Sequence, residues 1–85
     1  MSETFSDNPG ESRYELDVGG VIAFADYRKD GKTLFIDHVE APQELRGTGA
    51  AGRLMKHVVD TATGEGFSIT PICGYAASWM QKNVK

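Results

Sequence analysis

Apolar and polar residues alternate from Arg13 to Val18, with Tyr14, Leu16 and Val18 set against Arg13, Glu15 and Asp17. A period of two is the pattern of a strand with one face buried and the other wet. Gly19-Gly20 follows, a pair suited to a two-residue hairpin turn, and residues 21–28 read as the returning strand. Asp30-Gly31 marks a second turn and residues 33–39 a third strand, so this half of the chain predicts an antiparallel three-strand meander. Straight alternation along the third strand puts His38 on the face of Leu34 and Ile36, and Phe35, Asp37 and Val39 on the other.

The period changes beyond Pro42. Over residues 47–63, Ala51, Leu54, Met55, Val58 and Ala62 recur three and four apart, with Arg53, Lys56 and Asp60 on the other side. That spacing predicts an amphipathic helix, ended by Gly64 and Gly66. Residues 67–72 read as a short fourth strand, parallel to the third because a helix separates them, through a right-handed crossover. Residues 75–83 predict a closing helix that buries Ala76, Trp79 and Met80. Residues 1–12 are polar, contain Asn8-Pro9-Gly10 and show no period; a mobile tail is expected there, with residues 13–85 forming the single domain. The predicted order is β-β-β-α-β-α, an α/β (α+β) arrangement without internal repeats.

Composition narrows the function classes. A chain of 85 residues with 40% hydrophobic and 25% charged residues has the make-up of an ordinary globular domain with one small core. Its net charge of −3 weighs against nucleic acid as the main partner, since backbone binding needs clustered lysine and arginine. No apolar run approaches the ~20 residues of a membrane span, and no signal peptide is recognised, so no membrane association and a cytoplasmic location are expected. The single cysteine excludes an internal disulfide and a multi-thiolate zinc site, and no metal is expected.

Chemistry concentrates at Arg46-Gly47-Thr48-Gly49-Ala50-Ala51, a basic side chain followed by residues of almost no bulk at the start of the predicted helix. Small residues let a ligand approach the backbone, and the first N–H groups of a helix have no partner inside it. Such a corner suits an anion, most naturally a phosphate. A P-loop requires Lys and then Ser or Thr after its second glycine, whereas Gly52 is followed by Arg53 and Leu54. Gly47, Gly49 and Gly52 match G-x-G-x-x-G on paper, but residues 66–73 hold no acid for a ribose, and the chain is too short for the doubly wound sheet that fingerprint serves. Arg53, Lys56 and His57 could add local positive charge, or Arg53 and Lys56 could belong to a solvated helix face.

Arg46 to Ala51 resembles the [Q/R]-x-x-G-x-[G/A] pyrophosphate loop of the GNAT superfamily, the acyl-coenzyme A N-acyltransferases. His38-Val39-Glu40-Ala41-Pro42 and Pro71-Ile72-Cys73-Gly74-Tyr75 extend the likeness to the short stand-alone GNAT-like proteins, whose pattern reads H-T-E-V-P, glycine loop, P-x-C-x-Y. Val39 stands where threonine is usual and Ala41 where valine is usual. The resemblance implies a minimal GNAT-like fold that binds acetyl-coenzyme A (acetyl-CoA) or a related acyl-CoA as co-substrate. It assigns Val39, Arg46, Gly47, Thr48, Gly49, Ala50 and Ala51 to that co-substrate, and Arg53 is expected to join them through its charge. The pantetheine arm would lie between the strands that flank the first helix.

Two routes of acetyl transfer are open. In direct attack, an amine meets the thioester while His38 or Glu40 takes a proton and Tyr75 protonates the leaving thiolate. In the other, Cys73 is acylated first; it precedes a helix start, a position that favours a nucleophilic thiolate. Cys73 also reads as a small packing residue, His38 as a hydrogen-bonded interior histidine, and Tyr75 as a core residue of the last helix. A CoA-binding sensor or partner module without catalysis is the rival function, and an interaction domain that keeps the loop only for folding is a third. The acceptor amine is not identified, and a monomer or small homo-oligomer is expected.

Overall fold

The computed structural model describes residues 3–84. Its elements are β1 (Glu3–Asn8), β2 (Arg13–Val18), β3 (Val21–Asp30), β4 (Thr33–Glu40), a 3₁₀ turn (Gln43–Leu45), α1 (Ala50–Gly64), β5 (Ser68–Pro71) and α2 (Gly74–Asn83). The five strands form one sheet in the order β1-β2-β3-β4-β5, antiparallel throughout except for the parallel β4–β5 pair. The α+β order of meander, helix, parallel strand and helix is the one the hydrophobic pattern predicts.

One sheet face carries the core. Tyr14 and Leu16 of β2, Ala23, Ala25 and Tyr27 of β3, and Leu34 and Ile36 of β4 pack against Leu54, Met55, Val58 and Ala62 of α1 and Ala76 of α2. Turn chemistry sets the hairpin: Gly19 and Gly20 have φ of 59° and 92°, the double positive φ that matches the twist of the paired strands.

The mobile tail expected over residues 1–12 is corrected by β1, with Met1 and Ser2 lying outside the described residues. Glu3–Asn8 has no alternation because Phe5 is its single apolar residue, and its order comes from partners distant in sequence. Its ladder runs from Glu3↔Val18 to Asn8↔Arg13, and every second residue turns toward the helices. Glu3 meets Arg53, Phe5 stacks between Tyr14 and His57, and Asp7 accepts a hydrogen bond from the Tyr27 hydroxyl at 2.7 Å.

A β-bulge re-aims the end of β4. Tyr27 pairs with Ile36 but Asp26 pairs with His38, so Asp37 is an extra residue on its strand. Arg28 holds that residue, with Nε and Nη2 donating to the Asp37 carboxylate at 2.8 and 3.0 Å. Beyond the bulge the faces exchange. Val39 packs on the core, and His38 lies on the open face near Phe24, with ring centroids 6.2 Å apart. The interior placement read for His38 is therefore corrected: one inserted residue reverses a period of two.

Candidate active site

The chain leaves β4 at Glu40, makes the 3₁₀ turn and enters α1 through the glycine loop. Gly47 and Gly49 have φ of 81° and 80°, a left-handed conformation that excludes them from the helix, so α1 begins at Ala50 and not at 47. Thr48 braces the loop: its Oγ1 donates to the Leu45 carbonyl and accepts the Ala50 N–H at 3.3 Å. Among the described residues, the N–H groups of Gly47, Gly49, Ala51 and Gly52 meet no acceptor. The corner is also uncrowded. A Cβ at Gly47 would have nothing within 4 Å, and one at Gly49 would meet only Arg53 Nη1 at 3.4 Å.

Beside this loop the sheet opens. Strands β4 and β5 pair from Thr33↔Ser68 to Ile36↔Pro71, and the Ile72 and Cys73 N–H groups both donate to the Ile36 carbonyl. There β5 turns away into α2 while β4 continues to Glu40 paired only with β3. A cleft of about 360 Å³ results, lined by His38, Val39, Glu40, Ala41, Arg46, Ala51 and Tyr75. A larger hollow of about 610 Å³ near Pro9, Ser12 and Tyr27 contains none of the candidate residues, and its Arg28 is already paired with Asp37.

Within the cleft, His38 Nε2 and Glu40 Oε1 are 3.1 Å apart, with side chains 53% and 55% exposed. A carboxylate there can hold the ring and stabilise the imidazolium that forms when His38 takes a proton. Tyr75 is 43% exposed and lines the cleft rather than the core. Burial raises its hydroxyl above the ordinary tyrosine value, which keeps it a proton donor at neutral pH. The Arg46 guanidinium makes no hydrogen bond or ion pair among the described residues, so a cation faces the cleft uncommitted.

Other candidates stand apart. Arg53 gives Nε and Nη2 to Glu3 and Nη1 to the Thr48 carbonyl, so it braces the loop and is not free to meet an anion. Lys56 pairs with Asp60 on the exposed face of α1, and His57 stacks on Phe5 at 4.8 Å. Cys73 is half-buried at the N-cap of α2, packed against the core and outside the cleft lining. Two residues that the sequence reading left without a role also shape the site. Ala41 lines the cleft. Gly52 faces α2, where a Cβ would make ordinary van der Waals contact, 3.4 Å from Trp79 Nε1 and 3.9 Å from Tyr75 Oη. A glycine inside a helical period was the available signal for a position facing a neighbour.

A family model described as GCN5-related N-acetyl-transferase matches residues 13–85, from the start of β2 through α2. The chain belongs to this family. Acyl-CoA as donor and a separate acceptor are general to GCN5-related N-acetyltransferases, and the glycine loop and the β4–β5 opening lie within the matched residues. No curated protein is a significant match to the chain. No cluster of three or more His, Cys, Asp or Glu able to hold a metal ion occurs among the described residues. None of their helices is long and apolar enough to cross a membrane.

Proposed function

We propose that the protein binds acetyl-CoA, or a related acyl-CoA, at the glycine loop and transfers the acyl group to an amine. The observation that carries this reading is the set of free N–H groups at Gly47, Gly49, Ala51 and Gly52, beside a cleft holding His38, Glu40, Arg46 and Tyr75. Free amides and the positive end of α1 suit a diphosphate, and Arg46 adds a charge-assisted hydrogen bond. The edge of β4 that β5 leaves open beyond Ile36 suits the pantetheine arm.

In the direct route, the amine nitrogen attacks the thioester carbon, forming the C–N bond as the C–S bond breaks. His38, held by Glu40, takes the proton that the amine loses. Tyr75 donates its proton to the departing thiolate and is re-protonated from solvent. The products are an amide and free CoA. Cys73 lies outside the cleft lining, which favours direct attack over a route in which its thiolate is acylated first.

Thermal melting with CoA tests the binding step: at 100 times the dissociation constant a ligand adds about 2.7 kcal/mol to stability, a visible shift for a small domain. Gly49→Val should abolish that shift while far-UV dichroism stays native, because a branched side chain resists a φ of 80° and crowds the Arg53 guanidinium that braces the loop. An unchanged shift would remove the loop from the account. Release of thiol from acetyl-CoA with a panel of amines tests transfer. Binding without release would identify a CoA sensor or partner module, and the absence of both would leave an interaction domain.

A further inference from the structure

Strand β1 precedes the residues that the family model matches, yet its first residue is linked to the glycine loop through Arg53. Glu3 Oε1 accepts from Arg53 Nε at 3.1 Å and Nη2 at 2.9 Å, while Arg53 Nη1 donates to the Thr48 carbonyl at 2.8 Å. A guanidinium is planar, so fixing one side of its fork on Glu3 fixes where the other side points. The Thr48 carbonyl and the Gly49 N–H belong to one peptide unit. In a trans peptide the two point in opposite directions. Holding the carbonyl toward Arg53 therefore aims the Gly49 N–H away from it, into the open corner. Gly49 has no side chain to resist rotation of that peptide, and an untethered arginine samples many rotamers.

We propose that Glu3 and Arg53 are positioning residues for the glycine loop: β1 clamps Arg53, Arg53 fixes the Thr48 carbonyl, and the Gly49 N–H is thereby presented to the donor's diphosphate. The assignment rests on the loop being the acyl-CoA site. β1 is held in place independently, by its ladder with β2, the Phe5 stack and the Asp7–Tyr27 hydrogen bond, so it is a firm base for the clamp. Phe5 and Asp7 are not part of the clamp itself.

The sign of the effect separates a clamp from a simple charge. Glu3 is an anion near a site for a polyanion, so by Coulomb's law alone its removal should tighten CoA binding. The clamp requires the reverse. Glu3→Ala is expected to raise the calorimetric dissociation constant for CoA roughly two- to fivefold, the range of one partly exposed ion pair. In the free protein it should lower the ¹⁵N order parameter of Gly49 from about 0.85 toward about 0.6, while Gly66, tied to Thr63, is unchanged. Glu3→Gln, which retains one acceptor, should fall between wild type and Glu3→Ala. Unchanged or tighter CoA binding by Glu3→Ala, or an unchanged Gly49 order parameter, overturns the clamp. If the intact protein fails to bind CoA, the donor-site reading fails by itself, and the Gly49 order parameter in the free protein alone decides whether Glu3 orders the loop.

Discussion

Two arginines close together in sequence do different work because of what surrounds each. Arg46 lines the cleft with its guanidinium uncommitted, whereas Arg53 is bound to Glu3 and Thr48. Arg46→Ala should weaken acyl-CoA binding by about 1–3 kcal/mol, the scale of a charge-assisted hydrogen bond, and leave the melting temperature of the free protein nearly unchanged. Calorimetry and a melt of the same sample check both halves. Sequence marked both residues as basic and near a glycine loop, but it held no sign of Glu3 because the contact spans 50 positions. Asp37 gives a second expectation at this scale. Its hydrogen bonds with Arg28 hold its carboxyl below the ordinary aspartate value. A lowered folded value means that this contribution is complete above the unfolded value and is lost as the pH falls through the folded one. A carboxyl NMR titration should give a midpoint for Asp37 below that of an unstructured aspartate. The bulge it anchors should be insensitive to pH near neutrality.

At the scale of elements, α1 was legible because Leu54, Met55, Val58 and Ala62 share one face by spacing alone, and the structure buries all four. Leu54 is fully buried under the sheet, so Leu54→Ala should cost about 2–5 kcal/mol in a urea melt. A loss under 1 kcal/mol would mean that the helix is not seated as described. The start of α1 was less legible: the sequence reading began the helix at Gly47, and the positive φ of Gly47 and Gly49 shows that the turn is not helical. For β4 the alternation was legible as far as Ile36, and the bulge at Asp37 then reversed it. That reversal moves His38 and Glu40 together off the core face, and so exposes the pair that the proposed mechanism uses.

Across the whole molecule, a single core cluster draws on β2, β3, β4, α1 and α2, with Trp79 packed at its edge. Far-UV dichroism and the fluorescence of Trp79, the only tryptophan, should therefore report one coincident urea transition. Separate midpoints would show α2 leaving the sheet before the rest unfolds. The cleft exists at this scale alone. Its lining comes from β4, the loop, α1 and α2, and it opens because β5 stops pairing at Pro71 while β4 runs on.

Local spacing determined the meander from β2 to β4, the amphipathic helix, the parallel fifth strand and the glycine loop. In each case neighbours in sequence supply the cause, whether a two-residue period, a three- and four-residue period, or a run of residues without bulk. The tertiary structure decided what neighbours cannot: the order of β1, the reversal at Asp37, the commitment of Arg53 and the freedom of Arg46. The first three depend on a partner brought near by the folding of the sheet, and Arg46 is free because folding brings it none among the described residues. Pairing energies across such distances leave no periodic trace in the chain that carries them.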